Sequence, residues 1–235
     1  YKPEDRLIVK VGWKDRSQKV FFQVQNRKQT WLDLNLGDPD GGDVHRIFRE
    51  TTRAWVNVLG EPYWLEDGTF LWQSERSGWR HLYHYDSKGE LLSVVTKGEW
   101  EVRSLKGVNE KRGWVYFTGT RRSHIGLDVY RVTLVNGVIK RLSEREGEHR
   151  VLFNSQLTHY VDTWSNLVTP PQVHLMDSLG QLVRTIYDDT VEKLNDLSLG
   201  QPELLQVPSR DGFMMESMLI TPPDFNPSRR YPVLV

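Results

Sequence analysis

The amino-acid sequence predicts an all-β chain built from repeated four-stranded antiparallel units, and three observations carry that prediction. Apolar residues rich in Val, Tyr, Phe and Trp alternate with polar ones in short runs, the period of a strand with one buried face. Turn sequences containing Gly or Asn punctuate these runs, and helical spacing is nearly absent. The runs also recur as groups of roughly 40 residues.

Taken in order, strands are expected at residues 7–13, 19–25, 30–36 and 69–74, the last following Asp67-Gly68, then at 79–85, 90–96, 114–118, 128–134 and 138–142. Four units overlay on one another, at 11–50, 62–99, 102–145 and 151–188. In each, a first strand leads through a turn to a strongly apolar second strand; a longer loop follows, and a hairpin joins the third and fourth. The hairpins are 37–43, Asp86-Ser87-Lys88-Gly89, Asn136-Gly137 and Asp177-Ser178-Leu179-Gly180, where Gly or Asn takes the positive φ of a tight turn. A four-stranded unit of roughly 40 to 50 residues is the spacing of a β-propeller blade. Four blades are either a complete small ring or half of a larger one. Trp13, Tyr63, Trp72, Trp114 and Trp164 are read as core or inter-blade packing.

Past the fourth unit, residues 189–201 read as a short helix and linker, with Val191, Leu194 and Leu197 at helical spacing and Asp188-Asp189 suited to the N-cap rather than to acid–base work. A different module begins at 202, with strands at 203–208 and 213–221 around Ser209-Arg210-Asp211-Gly212. The proline-rich Pro222-Pro223-Asp224-Phe225-Asn226-Pro227 then delivers the chain to Tyr231-Pro232-Val233-Leu234-Val235, expected as a strand cut short, so the sequence reads as a truncated piece. Strand, Pro-rich loop, strand is one way an α/β-hydrolase domain opens, and it suits many other folds too.

Bulk chemistry narrows the function. Lys plus Arg and Asp plus Glu number 31 each, so no basic field exists to hold nucleic acid. Cysteine is absent, which removes disulfides, thiolate nucleophiles and Cys-type zinc sites. No apolar run approaches the roughly 20 residues that span a bilayer, and Tyr1-Lys2-Pro3-Glu4 does not open like a signal peptide. The Gly-x-Ser-x-Gly elbow of a serine hydrolase does not occur, nor does a Gly-rich phosphate loop. His81, His84, His124, His149, His159 and His174 show no metal-ligand spacing, and His81 and His84 fall on opposite faces of one expected strand. Asp38-Pro39-Asp40-Gly41-Gly42-Asp43 has the composition of a calcium loop without its order, and reads as a solvated hairpin. No catalytic residue, metal or cofactor is expected within the chain.

Residues 61–68, with Phe70 to Tyr83, Lys97-Gly98-Glu99-Trp100-Glu101-Val102, Asp162-Thr163-Trp164-Ser165, Thr169-Pro170-Pro171, Pro222-Pro223-Asp224-Phe225 and Tyr231-Pro232-Val233, resemble in order and spacing the late propeller and hydrolase entry of the dipeptidyl peptidase IV family of prolyl-oligopeptidase-type serine peptidases. That resemblance implies an eight-bladed propeller, of which this chain holds about four later blades, followed by the first strands of an α/β-hydrolase domain. It further implies a parent enzyme releasing X-Pro or X-Ala dipeptides, with a glutamate pair before Tyr1 that grips the substrate's free amino terminus and a Ser, Asp, His and oxyanion Tyr after Val235. By the same resemblance the partners are a free-amine peptide, the hydrolase domain and a second subunit, the address is extracytoplasmic, and the piece alone is inactive. Thr51-Thr52-Arg53-Ala54-Trp55-Val56-Asn57 matches a loop that in the animal enzymes leads to a substrate-facing arginine. Here Val58-Leu59-Gly60 replaces the Arg-rich stretch, leaving Arg53 and Asn57 as candidate substrate contacts, or else a loop that packs Trp55 between blades. The alternatives are a non-catalytic binding propeller, an acylaminoacyl peptidase or oligopeptidase, and, weakest, a propeller glycosidase, because no two acids stand out.

Overall fold

The strands are short because each alternating run ends at a turn residue, and the computed structural model, which describes residues 6–14, 19–188, 191 and 196–234, places eighteen among those residues. Sheet 1 contains β1 (Arg6–Lys14), β2 (Lys19–Asn26), β3 (Trp31–Gly37) and β4 (Val44–Thr51). Sheet 2 contains β5 (Tyr63–Trp64), β6 (Phe70–Ser74), β7 (His81–Tyr85) and β8 (Leu91–Val94). Sheet 3 contains β9 (Val102–Asn109), β10 (Trp114–Gly119), β11 (Asp128–Thr133) and β12 (Ile139–Arg141). In all three, each strand pairs antiparallel with its sequence neighbour.

These sheets belong to one compact unit, residues 1–124 with 128–143. A second unit, 125–127 with 144–235, holds sheet 4, made of β13 (Glu148–Phe153), β14 (His159–Ser165), β15 (Gln172–Asp177) and β16 (Leu182–Tyr187), and a hairpin of β17 (Pro202–Pro208) and β18 (Met214–Ile220). Four consecutive four-stranded meanders are the β-propeller blades that the repeat predicts.

Sheet 2 explains why β6 reads Phe-Leu-Trp without polar interruption. Phe70 and Trp72, with Tyr83 and Tyr85, join a core cluster containing Phe21, Leu34 and Ile47 of sheet 1. Leu71 and Leu82 join the opposite cluster, with Trp100, Val115, Phe117 and Tyr130. A sheet covered on both faces needs apolar residues at odd and even positions alike. Phe48 stacks on Tyr85 at 4.9 Å, Tyr85 on Phe70 at 5.3 Å, and Phe48 meets Trp72 edge-on at 5.1 Å, which zips sheet 1 to sheet 2.

The expected hairpins form. Gly42, Gly89, Gly137 and Gly180 all have positive φ, and Gly89 N–H donates to Asp86 O as Gly180 N–H does to Asp177 O. In the 37–43 loop, the Asp38 carboxylate accepts the backbone N–H groups of Asp40 and Gly41, which hold its pKa below the ordinary value. No His, Asp and Glu group fit for a metal occurs among the described residues.

Three expectations need correction or delimitation. Trp13 is 58% exposed rather than packed, because β1 turns its neighbour Lys14 inward, where the ammonium sits over Trp64 at 4.4 Å. Residues 231–234 are irregular and not a strand; apolar sequence alone forms no strand without a ladder partner. The helix expected at 189–197 rests largely on residues 189–190 and 192–195, which lie outside the described residues. The one helical turn described is a 3-10 segment at Glu110–Arg112, capped by Asn109 Oδ1 and closed by Gly113 at φ 62°.

Candidate functional site

The loop carrying Arg53 and Asn57, residues 52–60, leaves β4 and returns to β5 with almost no regular structure of its own. Its backbone polar groups are met by glutamines on the sheets beneath. Alternation in β2 puts Phe21, Gln23 and Gln25 on the buried face, the two glutamines at 0% and 1% exposure. Gln25 Nε2 donates to Val56 O at 2.5 Å, Gln23 Nε2 to Gly60 O at 2.7 Å, and Gln73 Nε2, from β6, to Leu59 O at 3.2 Å. Val56 N–H donates to Gln29 O at 2.6 Å, a residue that sits at φ 57° in the β2–β3 turn. Each amide supplies the partner that a partly buried loop carbonyl needs, so the loop is pinned along its length.

Pinning decides which side chains face outward. Val56 enters the core at 7% exposure, and the preceding Trp55 therefore points away, 65% exposed. The expectation of Trp55 packed between blades is corrected accordingly. Arg53 is exposed and makes no ion pair among the described residues. Asn57 is exposed and its Nδ2 donates to Glu75 Oε2 at 2.6 Å, while Glu75 Oε1 accepts from Arg80 Nη2 at 3.2 Å. The structure thus places Arg53 and Asn57 on the same loop, and ties only Asn57 to the next sheet.

Beside that contact lies a buried network. Glu50, 9% exposed on β4, accepts Trp72 Nε1–H at 2.7 Å through one oxygen and the Ser74 hydroxyl through the other. Arg76 donates from Nε to Ser74 Oγ at 2.9 Å, approaches Glu50 at 3.8 Å and lies over the Tyr83 ring at 4.4 Å. Burial raises the Tyr85 pKa, against the pull of Arg76. Reading the sequence singled out neither the glutamines nor Glu50. The signal that could have found them is polar residues at inward positions of strands, Gln23 and Gln25 in register with Phe21.

Three histidines, His81, His84 and His149, are held in hydrogen bonds within their sheets. Thr69 donates its hydroxyl proton to Asp67 at 2.7 Å, so His84 Nε2, 2.8 Å from the same oxygen, must donate to it. An imidazole that donates cannot deprotonate that hydroxyl, and burial lowers the His84 pKa. His81 is likewise depressed by burial; Gly98 O accepts from its Nε2 at 2.9 Å, which leaves Nδ1 to accept from Thr96. In sheet 4, His149 is bonded to Asp162 at 2.7 Å and to Arg145 O at 3.1 Å. In sheet 3, burial and the adjacent Asp128 push Tyr130 up to about 12, while Asp128 holds Arg122 at 2.9 Å and Ser143 at 2.7 Å.

These features describe a scaffold with polar loops, and comparison with known proteins identifies it. Residues 1–171 match the family described as dipeptidyl peptidase IV (DPP IV) N-terminal region. The chain belongs to that family. Within it, dipeptidyl peptidase 4 of Arthroderma otae is 28% identical over 252 residues, covering 99% of this chain and 32% of that protein. Dipeptidyl peptidase 8 of Mus musculus is 26% identical over 294 residues, covering 97% and 32% respectively. The crystal structure of Porphyromonas gingivalis dipeptidyl peptidase 4 superposes with a TM-score of 0.90 at 26% identity, over 97% of this chain and 33% of that one. The chain spans about a third of the length of these dipeptidyl peptidase relatives.

Proposed function

We propose that this chain is the propeller portion of a serine-type dipeptidyl peptidase that releases X-Pro or X-Ala dipeptides from peptide amino termini. The observation that carries the reading is the family match over residues 1–171. In this reading 1–188 is propeller, 189–201 linker, and 202–235 the opening of an α/β-hydrolase domain that supplies the nucleophile. The propeller acts as wall and filter, admitting extended peptide ends and holding them where a nucleophile reaches them. Arg53 and Asn57 face the substrate. Supporting this are a pinned loop that presents an exposed guanidinium without an acidic partner among the described residues, and an exposed carboxamide fixed by Glu75. An arginine of this kind binds a carbonyl or carboxylate of the peptide.

The test compares this chain with the full-length protein on Gly-Pro p-nitroanilide. Activity confined to the full-length protein, and abolished by acylating its serine, is the expected result. A folded full-length protein inert towards both free-amine and N-blocked peptides overturns the proposal. Hydrolysis of N-blocked peptides alone reassigns it to acylaminoacyl peptidase or oligopeptidase chemistry.

A further inference from the structure

Sheet 2 ends on β8 and sheet 3 ends on β12, and each of these last strands is hydrogen-bonded within its sheet on one side only. An open groove of about 420 Å³ lies where Ser93 and Val94, at the end of β8, and the segment that follows them meet the β11–β12 turn and Ile139 at the start of β12. Val94, Val95, Leu134 and Ile139 line it with apolar surface, and Lys97 and Arg121 add two cations. The β11–β12 hairpin leans against the same stretch, with a Cβ built on Gly137 lying 3.6 Å from Val95 O.

Among the described residues, the two cations take no part in the fold's own charge pairing. Arg122 is committed to Asp128 at 2.9 Å, whereas its neighbour Arg121 is exposed, and neither Arg121 nor Lys97 has an acidic partner among the described residues. Unpaired strand edges invite a further extended chain, which gains backbone hydrogen bonds from the ladder and places alternate side chains in pockets along it. Five residues of extended backbone cover roughly 16 Å, enough to present apolar side chains to the walls and carboxylates to the cations.

We propose that this groove docks an extended peptide segment of a partner protein, one that alternates apolar residues with carboxylates. Apolar walls set the side-chain period, and Lys97 with Arg121 select negative over positive charge.

The probe is a fluorescent, N-acetylated and C-amidated hexapeptide, Val-Glu-Val-Glu-Leu-Glu, titrated into the full-length protein by anisotropy. Its blocked amino terminus keeps the result independent of any dipeptidyl peptidase activity. Binding is expected to weaken about tenfold when Lys97→Glu and Arg121→Glu are combined, and to weaken when salt rises from about 50 to 200 mM. The neutral pair Lys97→Gln and Arg121→Gln, with less risk to folding, should fall between. The reversed-charge protein should prefer the peptide with Lys in place of each Glu. Failure of the folded full-length protein to bind, or equal binding by wild type and the reversed-charge variant, overturns the assignment. So does complete displacement by octanoate at concentrations where the peptide competes poorly, which identifies a small-carboxylate site instead.

Discussion

Replacing Gln25 with leucine removes one anchor of loop 52–60 at nearly constant side-chain volume. Gln25 is 1% exposed, and its amide is the donor that meets Val56 O at 2.5 Å. Leucine leaves that carbonyl without this partner, a loss of about 1 to 3 kcal/mol. The loop does not detach, because Val56 N–H still reaches Gln29 O at 2.6 Å and Gln23 still reaches Gly60 O at 2.7 Å. At about 2 to 4 °C per kcal/mol for a unit of this size, the propeller transition should fall by about 2 to 12 °C in differential scanning calorimetry. If Arg53 and Asn57 contact substrate, their loosened placement should also raise KM for Gly-Pro p-nitroanilide by about 3- to 30-fold in the full-length protein, with kcat nearly unchanged. A variant that melts with the wild type would show that the glutamine does not hold the loop. A lowered transition with an unchanged KM would keep the anchor and remove the substrate-side role.

Glu50→Ala strands the Trp72 indole N–H and the Ser74 hydroxyl beside Arg76, and should cost about 3 to 5 kcal/mol in urea unfolding, against about 1 to 2 for Glu50→Gln, which keeps an acceptor. Equal losses would contradict the shared-acceptor reading. Gly89 and Gly68 have nearly the same φ, 86° and 81°, but a Cβ at Gly89 would collide with Ile47 O while one at Gly68 meets nothing within 4 Å. Gly89→Ala should therefore cost about 2 to 4 kcal/mol and Gly68→Ala about 1, measured as paired thermal shifts. His81, His84 and His174 are all depressed by burial. The unfolded chain then binds more protons than the folded one, so their stabilisation is present above about pH 6.5 and is lost as pH falls through the folded values. Melting temperature should decline between pH 7.5 and 5, less steeply in His84→Gln; a flat profile would refute the assignment.

The sequence by itself determined the local layer of this protein. Strand period and turn chemistry act over a few residues, so β2, β7, β11, β18 and the Gly89, Gly137 and Gly180 hairpins were legible within one or two positions, and the repeat of four strands pointed to propeller blades. What only the tertiary structure decided is which face meets what. Trp13 and Trp55 have the composition of core residues yet lie exposed, because burial depends on the neighbouring sheet and on which adjacent residue, Lys14 or Val56, is drawn inward. Gln23 and Gln25 looked like ordinary polar alternation until the loop carbonyls of Val56 and Gly60 came to rest above them, 31 and 37 residues away in sequence. Residues 231–234 carry strand propensity without a strand, since a ladder requires a partner that propensity cannot supply. The inward register of Gln23 and Gln25 with Phe21 is a local trace of buried polar groups, but it does not name their partners, so the anchored loop and the cationic groove emerge only once the sheets are packed.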